Sequence, residues 1–274
     1  MQQQKEIQSV LRSRLTNIAI LAALQAGEIL KKAFGSSYSS SSKEGRHNLV
    51  TEYDQKVEDM IIKFIRKHFP DHGFLGEEGG ATGETSQGIQ WLIDPIDGTV
   101  NFANNIPIFS VSIAASFQGQ PLSGVVYNPM TNELFVAEKG LGAYLNGIPI
   151  KVTKTPILAD AILVTGFPYN VHENPLRCID HFVSFAKLGV PIRRLGSAAL
   201  DLAYVAAGRF DGFWEVFLHP WDFAAGKLLV EEAGGKVTNY YKEELTTFTD
   251  NTLIASNTLL HEQMLNHLKI TETQ

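Results

Sequence analysis

The chain of 274 residues carries a single cysteine, Cys178, so no disulfide forms within it and the thiol fits a reducing compartment. Its surroundings, "LRCIDHF", contain no nucleophile motif, and a buried structural thiol is expected. Basic residues are scarce as well. The 23 Lys and Arg are outnumbered by 29 Asp and Glu, a net charge of -6 that disfavours nucleic acid as a partner. Phosphate substrates are not disfavoured in the same way, because bound cations reverse the sign of an acidic pocket. Long apolar runs are missing too, none reaching the ~18 residues of a membrane span. The run "IAILAAL" at 18–24 continues with helical spacing through Ile29, Leu30 and Ala33, which makes it an amphipathic core helix, not a signal sequence. A cytoplasmic protein with no membrane partner is expected, without internal repeats or coiled-coil heptads.

What is present suffices for one large domain or two smaller ones with their own cores, since 44% of the residues are hydrophobic. Two subdomains are expected, 1–155 and 156–274, meeting near Lys154 to Ala159. In the first, residues 54–69 place Val57, Ile61, Phe64 and Ile65 on one helical face, stopped by Pro70. Strands are predicted at 73–76, 91–93, 108–117, 122–127 and 134–137. The serine-rich stretch 35–48 reads as a loop. Its Lys43, Arg46 and His47 are either solvated or part of a flap that closes over a phosphate. The second half alternates strand and helix: "AILVTGF", a helix at 175–188, "PIRRLG", a helix at 197–207, "FDGFWEVF", a helix at 221–233, and "KVTNY". That pattern predicts an α/β unit with helices on both sheet faces.

The acids gather at the ends of these elements. In "WLIDPIDGTVNF", Asp94 and Asp97 follow a buried run, and Pro95 keeps Asp94 out of helical conformation, so a sharp exit from the strand is expected. Two carboxylates in one small space repel unless a cation neutralises them. The plain alternative is a turn whose aspartates cap the backbone. "FLGEEGG" pins Glu77 and Glu78 beside flexible glycines, and Asp222 in "HPWDFAAGKLLVEEAGG" falls in the first turn of a helix, where the helix dipole also explains an acid. Several such placements together favour a metal site with oxygen ligands, which selects a hard cation such as Mg²⁺. Gly98 and Thr99 open a short helix whose free N–H groups suit a phosphate, although the threonine hydroxyl can equally act as a cap. Hydrolysis of a phosphate ester by metal-activated water uses all these parts.

"GEEGG", "WLIDPIDGTVNF" and "HPWDFAAGKLLVEEAGG", in that order, resemble the signatures of the inositol monophosphatase family, over nearly the whole chain from about Ile18 to about Asn257. The resemblance implies a layered αβαβα sandwich of the sugar-phosphatase type, a Mg²⁺-dependent phosphatase with two or three ions per site, and a homodimer. It also implies lithium sensitivity in many members. Carried onto these positions, the family pattern makes Glu77, Asp94 and the backbone carbonyl of Ile96 ligands of one metal, and Asp94, Asp97 and Asp222 ligands of a second. Glu77 and Thr99 would orient and deprotonate the attacking water, with Asp54 holding Thr99. Phosphate would rest on the Gly98 and Thr99 amides. Gly196, Ser197 and Ala198, together with Glu215 and Asp222, would face the phosphorylated polyol.

Inositol 1-phosphate is the expected substrate. Fructose 1,6-bisphosphate and a 3'-phosphoadenosine-type nucleotide are alternatives within the same superfamily. A haloacid-dehalogenase mechanism needs a D-x-D pair near the N-terminus, whereas the spacing here is D-x-x-D at 94. The full acid set argues against a binding protein without catalysis.

Overall fold

A computed structural model describes residues 2–36, 40–42, 49–83, 88–246 and 250–269. The flap expected at Lys43, Arg46 and His47 lies outside the described residues. Helix α1, Gln2–Ala33, buries Leu15, Ala19, Ala22, Ala26 and Leu30, which recur three and four apart along one stripe. Strands β1 (Ser40–Ser42) and β2 (Leu49–Thr51) pair antiparallel and lead into α2, Glu52–His68. Thr51 caps α2. Its hydroxyl accepts from the Tyr53 N–H at 3.2 Å, and its own N–H donates to Asp54 at 2.7 Å, a reciprocal cap that fixes the start of the helix. The buried face of α2 holds Val57, Ile61 and Ile65, and Pro70 follows its C-cap Phe69.

Next come β3 (Gly73–Gly76), β4 (Gly80–Thr82), β5 (Ile89–Asp97), the short helix α3 (Thr99–Ala103), β6 (Ser110–Phe117), β7 (Gln120–Asn128), β8 (Glu133–Glu138), β9 (Gly142–Leu145) and β10 (Ile148–Pro149). Among the described residues these strands form one sheet in the order β10-β9-β8-β7-β6-β5-β3-β4, with β3 and β5 parallel and the other pairs antiparallel. The second half supplies β11 (Leu163–Thr165), α4 (Cys178–Ala186), β12 (Ile192–Arg193), α5 (Ala198–Ala206), β13 (Gly212–Val216), α6 (Pro220–Glu232), β14 (Gly235–Thr238), β15 (Thr252–Asn257) and α7 (His261–Leu265). Its sheet runs β12-β11-β13-β15-β14. The alternation read from sequence extends to β14, after which β15 enters antiparallel between β13 and β14, so this sheet is mixed.

Three apolar cores stack these pieces into layers. α1 and α2 pack on the outer face of the first sheet through Ile61, Phe74, Trp91 and Val111. α5 and α6 fill the space between the two sheets, joining Leu92, Val126 and Phe135 to Val164, Phe213 and Leu253. α4 and α7 cover the far face, where Cys178 is buried with Phe185 and Trp214. The result is a layered αβαβα sandwich. No helix among the described residues is long and apolar enough to cross a membrane.

Buried His261 ties β14, β15 and α7 together: its Nε2 lies 2.9 Å from Thr238 Oγ1 and its Nδ1 2.9 Å from Ser256 Oγ. Burial depresses its pKa to about 4. Between that value and the ordinary 6.5 the unfolded chain binds a proton that the folded one does not, so this histidine's contribution is full above the window and declines as pH falls through it. The stability gap between wild type and His261→Gln should therefore narrow from pH 7 to pH 5 in urea titrations. An unchanged gap would show that the imidazole does not titrate in this way.

Candidate active site

Strand β5 does not end at Ile93, as the sequence suggests, but continues through Asp97 with an irregularity. Its ladder with β6 matches Asp94 to Ser112 and Asp97 to Ser110, so three steps along β5 correspond to two along β6. Pro95, which has no N–H for the ladder, sits inside this bulge. In a straight strand, residues three apart face opposite sides. The extra residue reverses that alternation, and Asp94 and Asp97 both line one cavity of about 950 Å³. Gly98 then turns the chain at φ 98°, and a Cβ there would stand 3.0 Å from the Gly196 carbonyl oxygen, so only glycine fits.

Glu77, Thr99 and Asp222 line the same cavity, as do Ile96 and Gly98. Gly196, Ser197, Ala198 and Glu215 reach it from the second half of the chain. Asp54 lies behind the wall, where it accepts from the Thr99 hydroxyl at 3.1 Å. The same hydroxyl is 3.0 Å from the Ile96 carbonyl oxygen, so its one proton serves either acceptor.

The electrostatics are those of crowded acids. Burial raises the Asp94 carboxyl well above its usual range, and Glu77, Asp97 and Asp222 push it further. Burial likewise raises Asp222, against the His219 N–H that donates to it at 2.7 Å. Asp97 rises only to about 6, because Ser197 Oγ donates to its Oδ2 at 2.6 Å, the Ala199 N–H to the same oxygen at 2.7 Å, and the Ala198 N–H to Oδ1 at 3.2 Å. Asp54 also reaches about 6, with burial opposed by its bonds to Thr51.

Carboxylate oxygens and the Ile96 carbonyl are the donor set that a hard divalent cation takes, and a cation relieves their mutual repulsion. In donor chemistry the residues fit Mg²⁺. Among the described residues no three acids, histidines or cysteines are gathered at ligating spacing; Asp97 accepts from two backbone N–H groups and a hydroxyl, and Asp222 from one backbone N–H.

Glu215, on β13, is half-buried at the cavity, close enough to Gly166 that a Cβ on that glycine would overlap its carboxylate. Burial lifts its pKa to about 8, with Asp97 adding to the rise and Arg194 opposing it. One supporting residue escaped the sequence reading: Glu58, fully buried on α2, accepts from the Glu78 N–H at 2.9 Å and the Gly79 N–H at 2.6 Å. It thereby clamps the loop that carries Glu77. The signal was an acid inside the apolar stripe between Val57 and Ile61.

A five-layer α/β sandwich with an acid-lined cavity between its halves frames metal-assisted hydrolysis of phosphate esters. The inositol monophosphatase family model matches residues 11–272. The chain is 43% identical to the Nus factor SuhB of Escherichia coli strain K12, over 93% of this chain and 96% of that protein. It is 41% identical to an inositol-1-monophosphatase of Mesorhizobium japonicum, over 94% of this chain and 97% of that one. The crystal structure of the extragenic suppressor protein suhB from Bartonella henselae superposes with a TM-score of 0.87 at 40% identity, covering 93% of this chain and 98% of that chain. The chain belongs to the inositol monophosphatase family and is a phosphoric monoester hydrolase.

Glu58→Gln should lower stability by about 1.5 to 3 kcal/mol, the range for hydrogen bonds to a charged group. The local signature is faster amide hydrogen exchange at Glu78 and Gly79, and unchanged protection there would show that the Glu77 loop is held by something else.

Proposed function

We propose that the protein hydrolyses inositol 1-phosphate to inositol and phosphate, using two or three Mg²⁺ ions and water. The observation that carries this reading is the meeting, in one cavity, of the acid set around Asp94 with Glu215, a carboxyl brought from the second half of the chain that suits a hydroxyl. Relatives of similar identity are named Nus factor and inositol-1-monophosphatase, so family membership gives the reaction class and the polyol rests on Glu215. Glu77, Asp94 and the Ile96 carbonyl would hold one ion, and Asp94, Asp97 and Asp222 a second. When bound, the ions supply charge neutralisation and an acidified water.

Glu77 and Thr99 would orient the attacking water and deprotonate it, the Thr99 hydroxyl accepting a proton only as it passes its own to Asp54, which fixes that hydroxyl from behind. The Gly98 and Thr99 amides receive the phosphate oxygens, while Gly196, Ser197, Ala198, Glu215 and Asp222 surround the polyol. A cytoplasmic homodimer, sensitive to lithium, belongs to the same reading.

Phosphate release from inositol 1-phosphate, fructose 1,6-bisphosphate and 3'-phosphoadenosine 5'-phosphate tests the substrate directly, and preference for either of the last two overturns the inositol assignment. Activity should vanish in excess chelator and return with Mg²⁺; undiminished turnover under chelation would sink the metal role. Thr99→Ala should retain metal binding by calorimetry while kcat falls by about 10² to 10⁴, the usual cost of losing a positioned proton-transfer group. An unchanged kcat would leave Thr99 as a helix cap. Glu215→Gln should reduce catalytic efficiency on inositol 1-phosphate by about 1.5 to 3 kcal/mol. Its effect on an aryl phosphate, which lacks polyol hydroxyls, should be far smaller, and equal losses would place Glu215 in the folding or metal framework.

A further inference from the structure

Helix α5 contributes one more group to the cavity. Asp201, in its first turn, is 1% exposed and lines the same space as Glu215 and Arg194. Neither of its carboxyl oxygens is hydrogen-bonded to a protein atom, and among the described residues it is the one acid with both oxygens buried in that state. Among the other buried groups in that state, Ser116, Ser123 and Glu138 do not line the cavity. Lys227 Nζ lies 2.7 Å from Glu231 Oε1, and His181, which also lacks hydrogen-bond partners, stacks edge-on against Tyr240 and does not line the cavity.

An acid buried without partners costs stability, and such positions persist where a ligand supplies the missing bonds. Asp201 also stands in select company. After burial itself, Glu215 and then Asp97 raise its carboxyl and Arg194 opposes them, and all of these line the cavity, so three carboxyls and a guanidinium border one space. A ring bearing several hydroxyls, each both donor and acceptor, matches that border.

We propose that Asp201 is a specificity-determining residue that hydrogen-bonds a hydroxyl of the substrate, adjacent to the hydroxyl taken by Glu215. The inference rests on the reading of the substrate as a phosphorylated polyol. Burial supports it from a second side, since it raises the Asp201 carboxyl well above its usual range. A neutral carboxyl carries one donor and one acceptor, the complement of an alcohol.

The test assays wild type, Asp201→Asn and Asp201→Ala on inositol 1-phosphate, glycerol 2-phosphate and p-nitrophenyl phosphate, with thermal unfolding of each variant alongside. The alanine variant leaves no buried polar group behind and keeps the test open if the asparagine variant folds poorly. Loss of kcat/KM should follow hydroxyl content: about tenfold or more on inositol 1-phosphate, less on glycerol 2-phosphate, and under about threefold on the aryl phosphate, as expected where a site built for a hydroxyl is mismatched. The inositol loss should fall mainly on KM. Equal losses on all three substrates, or none, overturn the proposal. Should wild type ignore inositol 1-phosphate while hydrolysing the other two esters, the inositol reading fails by itself, and the contrast between glycerol and aryl phosphate still decides the role of Asp201.

Discussion

The grip of the Asp97 carboxylate on the first turn of α5 holds the molecule's two halves in register. Asp97 ends a strand of the first sheet, and Ser197, Ala198 and Ala199 begin the helix that fills the space between the sheets. An acid at that place satisfies N–H groups that a helix start leaves without partners, and it faces the positive end of the helix dipole. Its burial is thereby offset in part, which is why its pKa rises less than that of Asp94. The cavity lies at this junction, so its residues from the first half and those from the second meet at one contact.

The ledger of forces at the site divides along the same line. On one side stand Glu77, Asp94, Asp97 and Asp222, carried by a loop, a strand and a helix, whose mutual repulsion favours a cation. On the other stand half-buried or buried carboxyls, Glu215 and Asp201, which have Arg194 for company.

This division explains what the sequence disclosed. "WLIDPIDGT" was legible because an apolar strand, a proline and a Gly-Thr step are local signals; α2 was legible through its apolar periodicity, and α5 and α6 through the alternation of strand and helix in the second half. The end of β5 was misjudged, since a bulge depends on the partner strand and Pro95 by itself reads as an exit. β15 was missed for a related reason: its place between β13 and β14 is fixed by pairing across the sheet. Glu58 and Asp201 lie among apolar neighbours on helices, where only the folded chain shows whether the acid meets two amides or none.

The β5 bulge makes the distance between Asp94 and Asp97 a matter of counting, not of chemical identity. Exchanging Pro95 or Ile96 for another residue alters local stiffness, whereas deleting either would remove the bulge, leaving the two aspartates two apart on one face of a regular strand but without the local bend and twist that aim them. Residues 94–97 therefore tolerate changes of letter better than changes of length. Any lineage descending from this chain should carry its insertions and deletions elsewhere, in the connections far from the seam.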